Sequence, residues 1–381
     1  MINPIPPTGF ARQRRRWQAE RAVTERKRSA VADQSLWGDV DRLVDRVGDL
    51  QRLRFHRLHL LAHRRRRALG EEVPPELEQE AMTANAVALL APLVLAEIRT
   101  AYPGRIVVLK GPEAAASYPD PASRPYGDVD VLVDDVPAAQ QALLRAGFHE
   151  IGDPRVYQGI HHVRPLVKPQ LPIRVELHAR PKWVPWVAAP DAASLLGSAV
   201  PSATGVDGVL ALPPAQHAIV IAVHSWAHEP LRRALELIDA AAVAAHADAE
   251  ETASLARSWG VERIWLTTGA ASRAMLGRER SSALLRLWAG SVLEVREPTV
   301  LESHVGKWLS PYAARSPARA VAATPGVLLS ELRRDEGDTW RRKLRRSREA
   351  LRNASKSRRA HEELMEQLGV NAPGREVKRS P

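Results

Sequence analysis

The sequence predicts an α+β chain: a small α/β core with a mixed sheet over about residues 80–180, a helical C-terminal domain, and helical basic arms at both ends. Three observations lead there. Short runs rich in β-branched residues, "RIVVLK" (105–110), "DVDVLV" (128–133) and "IRVELHAR" (173–180), alternate with helical stretches. Beyond Pro213 nearly every segment has helical spacing. The net charge of +11 is concentrated at the ends: residues 1–70 carry 17 Lys/Arg against 7 Asp/Glu, and 331–381 carry 15 against 9. The divisions expected are a basic helical extension over 1–74, a core over 75–212, a helical domain over 213–330, and a basic helix and tail over 331–381.

Taken in order, residues 1–9 hold three prolines and read as extended chain. From Ala11 to Leu69 the pattern is helical, with Leu36, Val40, Leu43, Val44, Val47, Leu50, Leu53 and Leu58 at three- and four-residue steps. Gly70 and Pro74-Pro75 break it. A helix over 75–102, nearly all apolar from Ala84 to Ile98, reads as buried. "RIVVLK" is a short buried strand ended by Gly111-Pro112, and a helix begins near Glu113. Residues 119–125 are loop, and "DVDVLV" is the next strand. Residues 137–148 are a helix closed by Gly147. Strands follow over 155–168 and 173–180. After Pro213 come "PAQHAIVIAVHSWAH", "PLRRALELIDAAAVAAHA" and "TASLARSWGVERIWLTTGAASRAML", three helical patterns, and residues 331–368 read as a long basic helix.

Composition narrows the chemistry. There is no cysteine, which excludes disulfides, thiolate metal sites and cysteine nucleophiles and fits a cytoplasmic setting. No apolar run approaches the roughly 18–20 residues that span a bilayer, and "MINPIPPTGFARQRRRWQAE" does not read as a secretory signal. Serine-hydrolase and P-loop patterns are absent. The basic arms would attract a polyanion, although the arginine runs 14–16, 64–67 and 341–346 lack interleaved aromatics.

The chemistry-bearing feature is the strand "DVDVLV". Side chains at i and i+2 share a face, so Asp128 and Asp130 project together while Val129, Val131 and Val133 face the core. Adjacent carboxylates repel, so one is protonated or a cation intervenes. Oxygen ligands suit Mg²⁺ or Mn²⁺, and Mg²⁺ commonly pairs one or two carboxylates with substrate phosphates. The plain alternative is a strand end with two solvated aspartates. Three neighbours favour a site. Lys110-Gly111 offers an ammonium and an approachable backbone. Arg124 has a phosphate-binding guanidinium. Glu176, on one strand face with His178, supplies the third carboxylate that two-metal phosphoryl transfer uses.

"VVLKGPEAAASYPDPASRPYGDVDVLV" followed by "VELHAR" resembles a bacterial family of uncharacterised nucleotidyltransferases within the polymerase-β-like superfamily. "AVHSWAHEPLRRALELIDAAAVA" is similar to that family's His-x-x-x-His helix and the helix after it, which here supply His224, His228 and Asp239. The resemblance covers about residues 80–250. It implies a polymerase-β-like core in which Asp128, Asp130 and Glu176 hold two Mg²⁺ ions. Lys110, Gly111, Arg124, Gly127 and His178 would bind the nucleotide. An NTP, ATP first among them, would give its nucleoside monophosphate to an unidentified hydroxyl on a small molecule, peptide or RNA. Two other readings stand beside this one: a non-catalytic module that grips RNA or protein through the basic arms, and an Asp-x-Asp glycosyltransferase. His224 and His228 read as a hydrogen-bonded pair anchored by Asp239 rather than as a zinc site.

Overall fold

The computed structural model describes residues 36–152 and 162–306, positions 325, 340, 341, 344 and 348, and residues 351–357. Residues 1–35, with the first arginine run, and 153–161, with the start of the expected 155–168 strand, lie outside the described residues. So does most of the expected 331–368 helix, whose described positions 340, 341, 344, 348, 351 and 352 are helical.

Helix α1 covers 36–47, and α2 (Leu50–Phe55) and α3 (His59–Leu69) follow. Helix α4 (Pro75–Ala101) leads into β1 (Ile106–Val108), then α5 (Pro112–Ala115) and a short 3-10 turn at Pro121–Ser123. Strand β2 (Asp128–Val133), α6 (Val136–Arg145), β4 (Leu166–Lys168) and β5 (Leu171–His178) complete the expected core, and β3 (His149–Glu150), between α6 and β4, is an addition to it. Next come α7 (Ala192–Ser198), the hairpin strands β6 (Val200–Pro201) and β7 (Leu210–Ala211), and the helices α8 (Pro214–His228), α9 (Ala234–Ala244), α10 (Ala249–Ser258), α11 (Glu262–Met275) and α12 (Ala283–Leu293).

Among the described residues the strands form one seven-stranded mixed sheet in the order β3-β4-β5-β2-β1-β7-β6. At its centre β1 runs antiparallel to β2, and β2 runs parallel to β5. Alternation along β2 assigns the faces. Val129, Val131 and Val133 pack with Val175 and Leu177 against Val94, Leu95 and Ile98 of α4 and Ala139 and Leu143 of α6. On the other face Leu132 and Val107 are covered by Leu195 and Leu196 of α7 and Val220 of α8. Asp128 and Asp130 share that second face in the N-terminal half of β2, where Asp130 is buried and Asp128 is partly exposed.

Three sequence expectations change. The segment read as an extension over 1–74 is, in its described part, a component of the helical layer. Leu36, Trp37, Val40, Leu43, Leu53, Leu58 and Leu61 share one hydrophobic cluster with Ile219, Val223, Leu237, Ile264 and Val292. Three of the four arginines of α3 are also neutralised locally, Arg64 by Asp41, Arg65 by Asp45 and Arg67 by Glu78. The third C-terminal pattern is two helices, because Gly260 at φ +68 ends α10 and its neighbours make the terminating bonds Gly260 N–H to Arg257 and Val261 N–H to Ala256. Helix α4 is buried on one face only; Met82, Leu89 and Leu93 are exposed. It is also long and apolar enough to cross a membrane by length and composition, which the residue runs had not suggested. The sheet core occupies its other face.

Candidate functional site

The register of β2 and β5 places the carboxylates. In the parallel ladder Asp128 lies beside Arg174, Asp130 beside Glu176 and Leu132 beside His178. Paired residues in a parallel ladder point to the same face. Asp130, Glu176 and His178 therefore converge, and each offers a ligand atom within 4.8 Å of the others. His178 Nε2 lies 3.0 Å from Asp130 Oδ1 and 4.0 Å from Glu176 Oε2. His162, bridged to His178 across the sheet, brings its Nε2 to 3.6 Å from Glu176 Oε2. Its Nδ1 donates to the Val163 carbonyl at 2.7 Å, which leaves Nε2 of the neutral ring as an acceptor. His162 thus shares the carboxylate face.

The two carboxylates are electrostatically unequal. Burial opposes the charge on Asp130, but the hydrogen bond and electrostatic pull of His178, with Lys110 and His224, outweigh it and hold the carboxyl well below its usual range. Glu176 goes the other way. Burial, then repulsion from Asp130 and Asp128, pushes it up to about 7. The adjacency conflict expected for Asp128 and Asp130 thus falls on Asp130 and Glu176, because their strands are neighbours and their side chains are less exposed. Asp128 sits at the rim with a side chain 38% exposed, 3.8 Å from Arg174.

The donor set fits a divalent cation. Two carboxylates and an imidazole are ordinary ligands for such an ion, and the excess negative charge that raises Glu176 is what a cation would neutralise. Asp130 and Glu176 would hold it, with Asp128 available from the rim. His178 is 1% exposed and takes its place beneath Asp130. With its proton on Nε2 it orients that carboxylate, as histidines and carboxylates do around metal sites; without it, the same nitrogen is a third ligand.

Gly111 is where the sequence placed it, at the end of β1, and it meets a sharper demand than phosphate approach. Its φ is +65 and ψ −119, and a Cβ there would lie 2.7 Å from the Asp128 carbonyl oxygen. Only glycine fits such a backbone. At Gly127 a Cβ would meet nothing closer than Arg174 at 4.0 Å, so close approach is not what that position requires. Lys110 lies just beyond the β1 ladder, where the Leu109 amide bonds to the Asp130 carbonyl at 2.9 Å.

Arg124 departs from its expected role. It is 4% exposed, and its Nε and Nη2 form two 2.8 Å bonds to the carboxylate of Asp239, with Nη1 directed to the Gly111 carbonyl. Tyr118 donates a third bond to Asp239 at 2.6 Å. Asp239 therefore anchors Arg124 and Tyr118, not the histidine pair. The guanidinium braces the Gly111 turn from behind instead of meeting a phosphate.

The helical layer carries the expected histidine pair, and the loop after β5 adds a lysine that motif reading did not supply. His224 and His228, one turn apart on α8, are joined Nε2 to Nε2 at 3.1 Å. The ammonium of Lys182, in the loop after β5, contacts the His228 ring at 2.6 Å. Burial, then repulsion from Lys110, lowers Lys182 to about 8. Burial also holds His224 well below its ordinary value, so this ring is neutral. A cue existed in the sequence: Lys182 follows the Glu-Leu-His strand by four residues. Its neighbours on α8 could not be read from spacing. Two hollows, of about 170 and 480 Å³, lie along α1, α3 and the 116–123 loop, lined by Arg64, Trp37 and Tyr118 among others, and exclude the carboxylates.

The family described as an uncharacterised nucleotidyltransferase matches residues 49–277. The match is wider than the resemblance read over 80–250 and runs from α2 through α11, so it takes in helices on both sides of the sheet segment. No curated protein and no solved structure matches the chain.

Proposed function

The chain belongs to the uncharacterised nucleotidyltransferase family, transferases of phosphorus-containing groups, and on that premise we propose that it moves a nucleoside monophosphate from an NTP, ATP first, to a hydroxyl acceptor. The observation that carries this reading is the side-by-side placement of Asp130 and Glu176 by the β2–β5 register, with His178 bonded to one and near the other. In the reaction the acceptor oxygen bonds to the α-phosphorus as the bond from that phosphorus to the bridging oxygen breaks, and pyrophosphate departs with the electron pair. A bound divalent cation, Mg²⁺ or Mn²⁺, would supply charge neutralisation and ease ionisation of the acceptor hydroxyl.

The chain's own residues do the rest. Asp130, kept ionised by its surroundings, would hold the cation, with Glu176 and the rim carboxylate Asp128. His178 keeps Asp130 in place. In place of binding the cation, Glu176 would take the acceptor proton as a general base. Gly111 brings the end of β1 against Asp128, and Lys110 stands beside the carboxylates as a counter-charge for phosphate.

The test is incubation of the protein with labelled ATP, GTP, CTP and UTP, Mg²⁺ and a panel of hydroxyl acceptors. Asp130→Asn should lower label transfer on the order of a hundredfold or more. Equal transfer by wild type and Asp130→Asn would remove the carboxylates from the reaction.

A further inference from the structure

The end of β1 is gripped from the helical layer at two carbonyls. His217 of α8 meets Leu109 at 2.8 Å, and Arg124, held by Asp239 of α9, meets Gly111 at 3.3 Å. The Gly111 carbonyl already accepts the Ala115 amide at 3.1 Å, the first bond of α5. A carbonyl has two lone pairs, so Arg124 adds a bond that satisfaction of this oxygen did not require. The guanidinium is committed here on every nitrogen: Nε and Nη2 bond Asp239 at 2.8 Å each, and Nη1 points to Gly111. Tyr118 donates to the same carboxylate at 2.6 Å, and its ring packs 4.7 Å from that of Trp37 on α1.

A buried ion pair of this kind is a poor device for stability alone, because desolvation of both charges offsets most of their attraction. What it fixes is position. Gly111 lies so near β2 that a Cβ would stand 2.7 Å from the Asp128 carbonyl oxygen, and the Leu109 amide bonds to the Asp130 carbonyl at 2.9 Å. The backbone of both aspartates therefore rests on the segment that Arg124 holds. A shift of the Gly111 turn is felt by the strand that carries the carboxylates.

We propose that Asp239 and Arg124 are positioning residues of the carboxylate site: α9, through this ion pair, sets the Gly111 turn against β2 and so fixes where Asp128 and Asp130 present their side chains. This rests on the nucleotidyl-transfer reading for the reaction it serves, but cation binding tests it apart from that reading. Two variants keep the net charge of the region, so a change in cation affinity reports geometry and not field. Arg124→Lys retains the pair but lacks the planar fork that bonds Asp239 twice and Gly111 once. Arg124→Met combined with Asp239→Leu removes one charge of each sign and strands neither in the interior. Mn²⁺ alone, titrated into the full-length protein and followed by electron paramagnetic resonance, should bind about tenfold more weakly in each. Urea unfolding should show both to be folded. Label transfer should fall on the order of a hundredfold in kcat, as a small misplacement of reacting groups produces, with KM for the NTP little changed. Leu43→Ala, a truncation in the core of the helical layer, should bind Mn²⁺ as wild type does. The proposal is overturned if wild type binds no Mn²⁺, if both variants fail to fold, if folded Arg124→Lys binds Mn²⁺ as wild type does, or if Leu43→Ala matches the loss. Should Mn²⁺ affinity fall in the variants while wild type turns over no NTP, the positioning role stands and the transfer reading fails. Should Asp130→Asn abolish transfer while folded Arg124→Lys binds Mn²⁺ and transfers label as wild type does, the positioning role fails and the transfer reading stands.

Discussion

Gly111 shows how one backbone angle can serve a site. At φ +65 and ψ −119 it turns the chain from β1 into α5 while lying against the Asp128 carbonyl. Gly111→Ala should be destabilised by about 1–3 kcal/mol from backbone strain alone, with more from the 2.7 Å contact. Gly127→Ala, where a Cβ has room, should stay within about 0.5 kcal/mol of wild type. Urea midpoints at constant m-value measure both; equal shifts would show that the turn does not need glycine. The sequence made Gly111 visible because a glycine ended a strand. It did not show the reason, since the Asp128 carbonyl comes from another strand. Asp128 and Asp130 were legible as a same-face pair for the opposite reason: alternation is local. That Glu176 rather than Asp128 would be Asp130's close neighbour depends on the order of strands, which alternation does not encode.

At the scale of elements, buried histidines join the helical layer to itself and to the sheet. His217 of α8 bonds through Nε2 to the Leu109 carbonyl at the end of β1 at 2.8 Å. His56, just after α2, contacts the Ala234 amide at the start of α9 and the Arg296 carbonyl. Burial lowers each imidazole to about 4. In the unfolded chain each titrates near 6.5, so between about 6.5 and 4 the unfolded state binds the extra proton. Stability is therefore complete above pH 6.5 and falls as the pH drops towards 4, by about 3 kcal/mol for each ring. Thermal unfolding followed from pH 7.5 to 4.5 should show this decline, and His217→Gln should flatten part of it. A profile unchanged by that substitution would mean that His217 does not titrate with unfolding. Neither role was visible in the sequence, where His217 lies in an apolar helical pattern and His56 in an arginine-rich one.

Across the whole molecule, the N-terminal helices are structural members of the helical layer. Leu43 is fully buried within the cluster that also holds residues of α8, α9, α11 and α12. Leu43→Ala should cost about 2–5 kcal/mol, as other buried leucine truncations do, and should shift one cooperative transition seen by far-UV circular dichroism. An independently folded arm would instead melt in a separate early step and leave the main transition in place. The buried bond from Arg124 to Asp239, 115 residues apart in sequence, ties α9 to the Gly111 turn in the same way, so the helical layer supports the site as well as flanking it.

By itself the sequence determined the elements and the chemistry they carry. Periodicity of two or 3.6 residues is written in neighbouring residues, so β1, β2, β5 and most helices, with the polar face of β2, could be read directly, while the two-residue strands β3, β6 and β7 could not. Tertiary structure decided which charges meet. It set Glu176 beside Asp130, turned Arg124 inward to Asp239, brought Lys182 to α8 and folded 36–69 into the helical layer. Those choices follow from burial and ion pairing between segments far apart in the chain. Their free energies depend on which surfaces are removed from water together, and no local pattern records that.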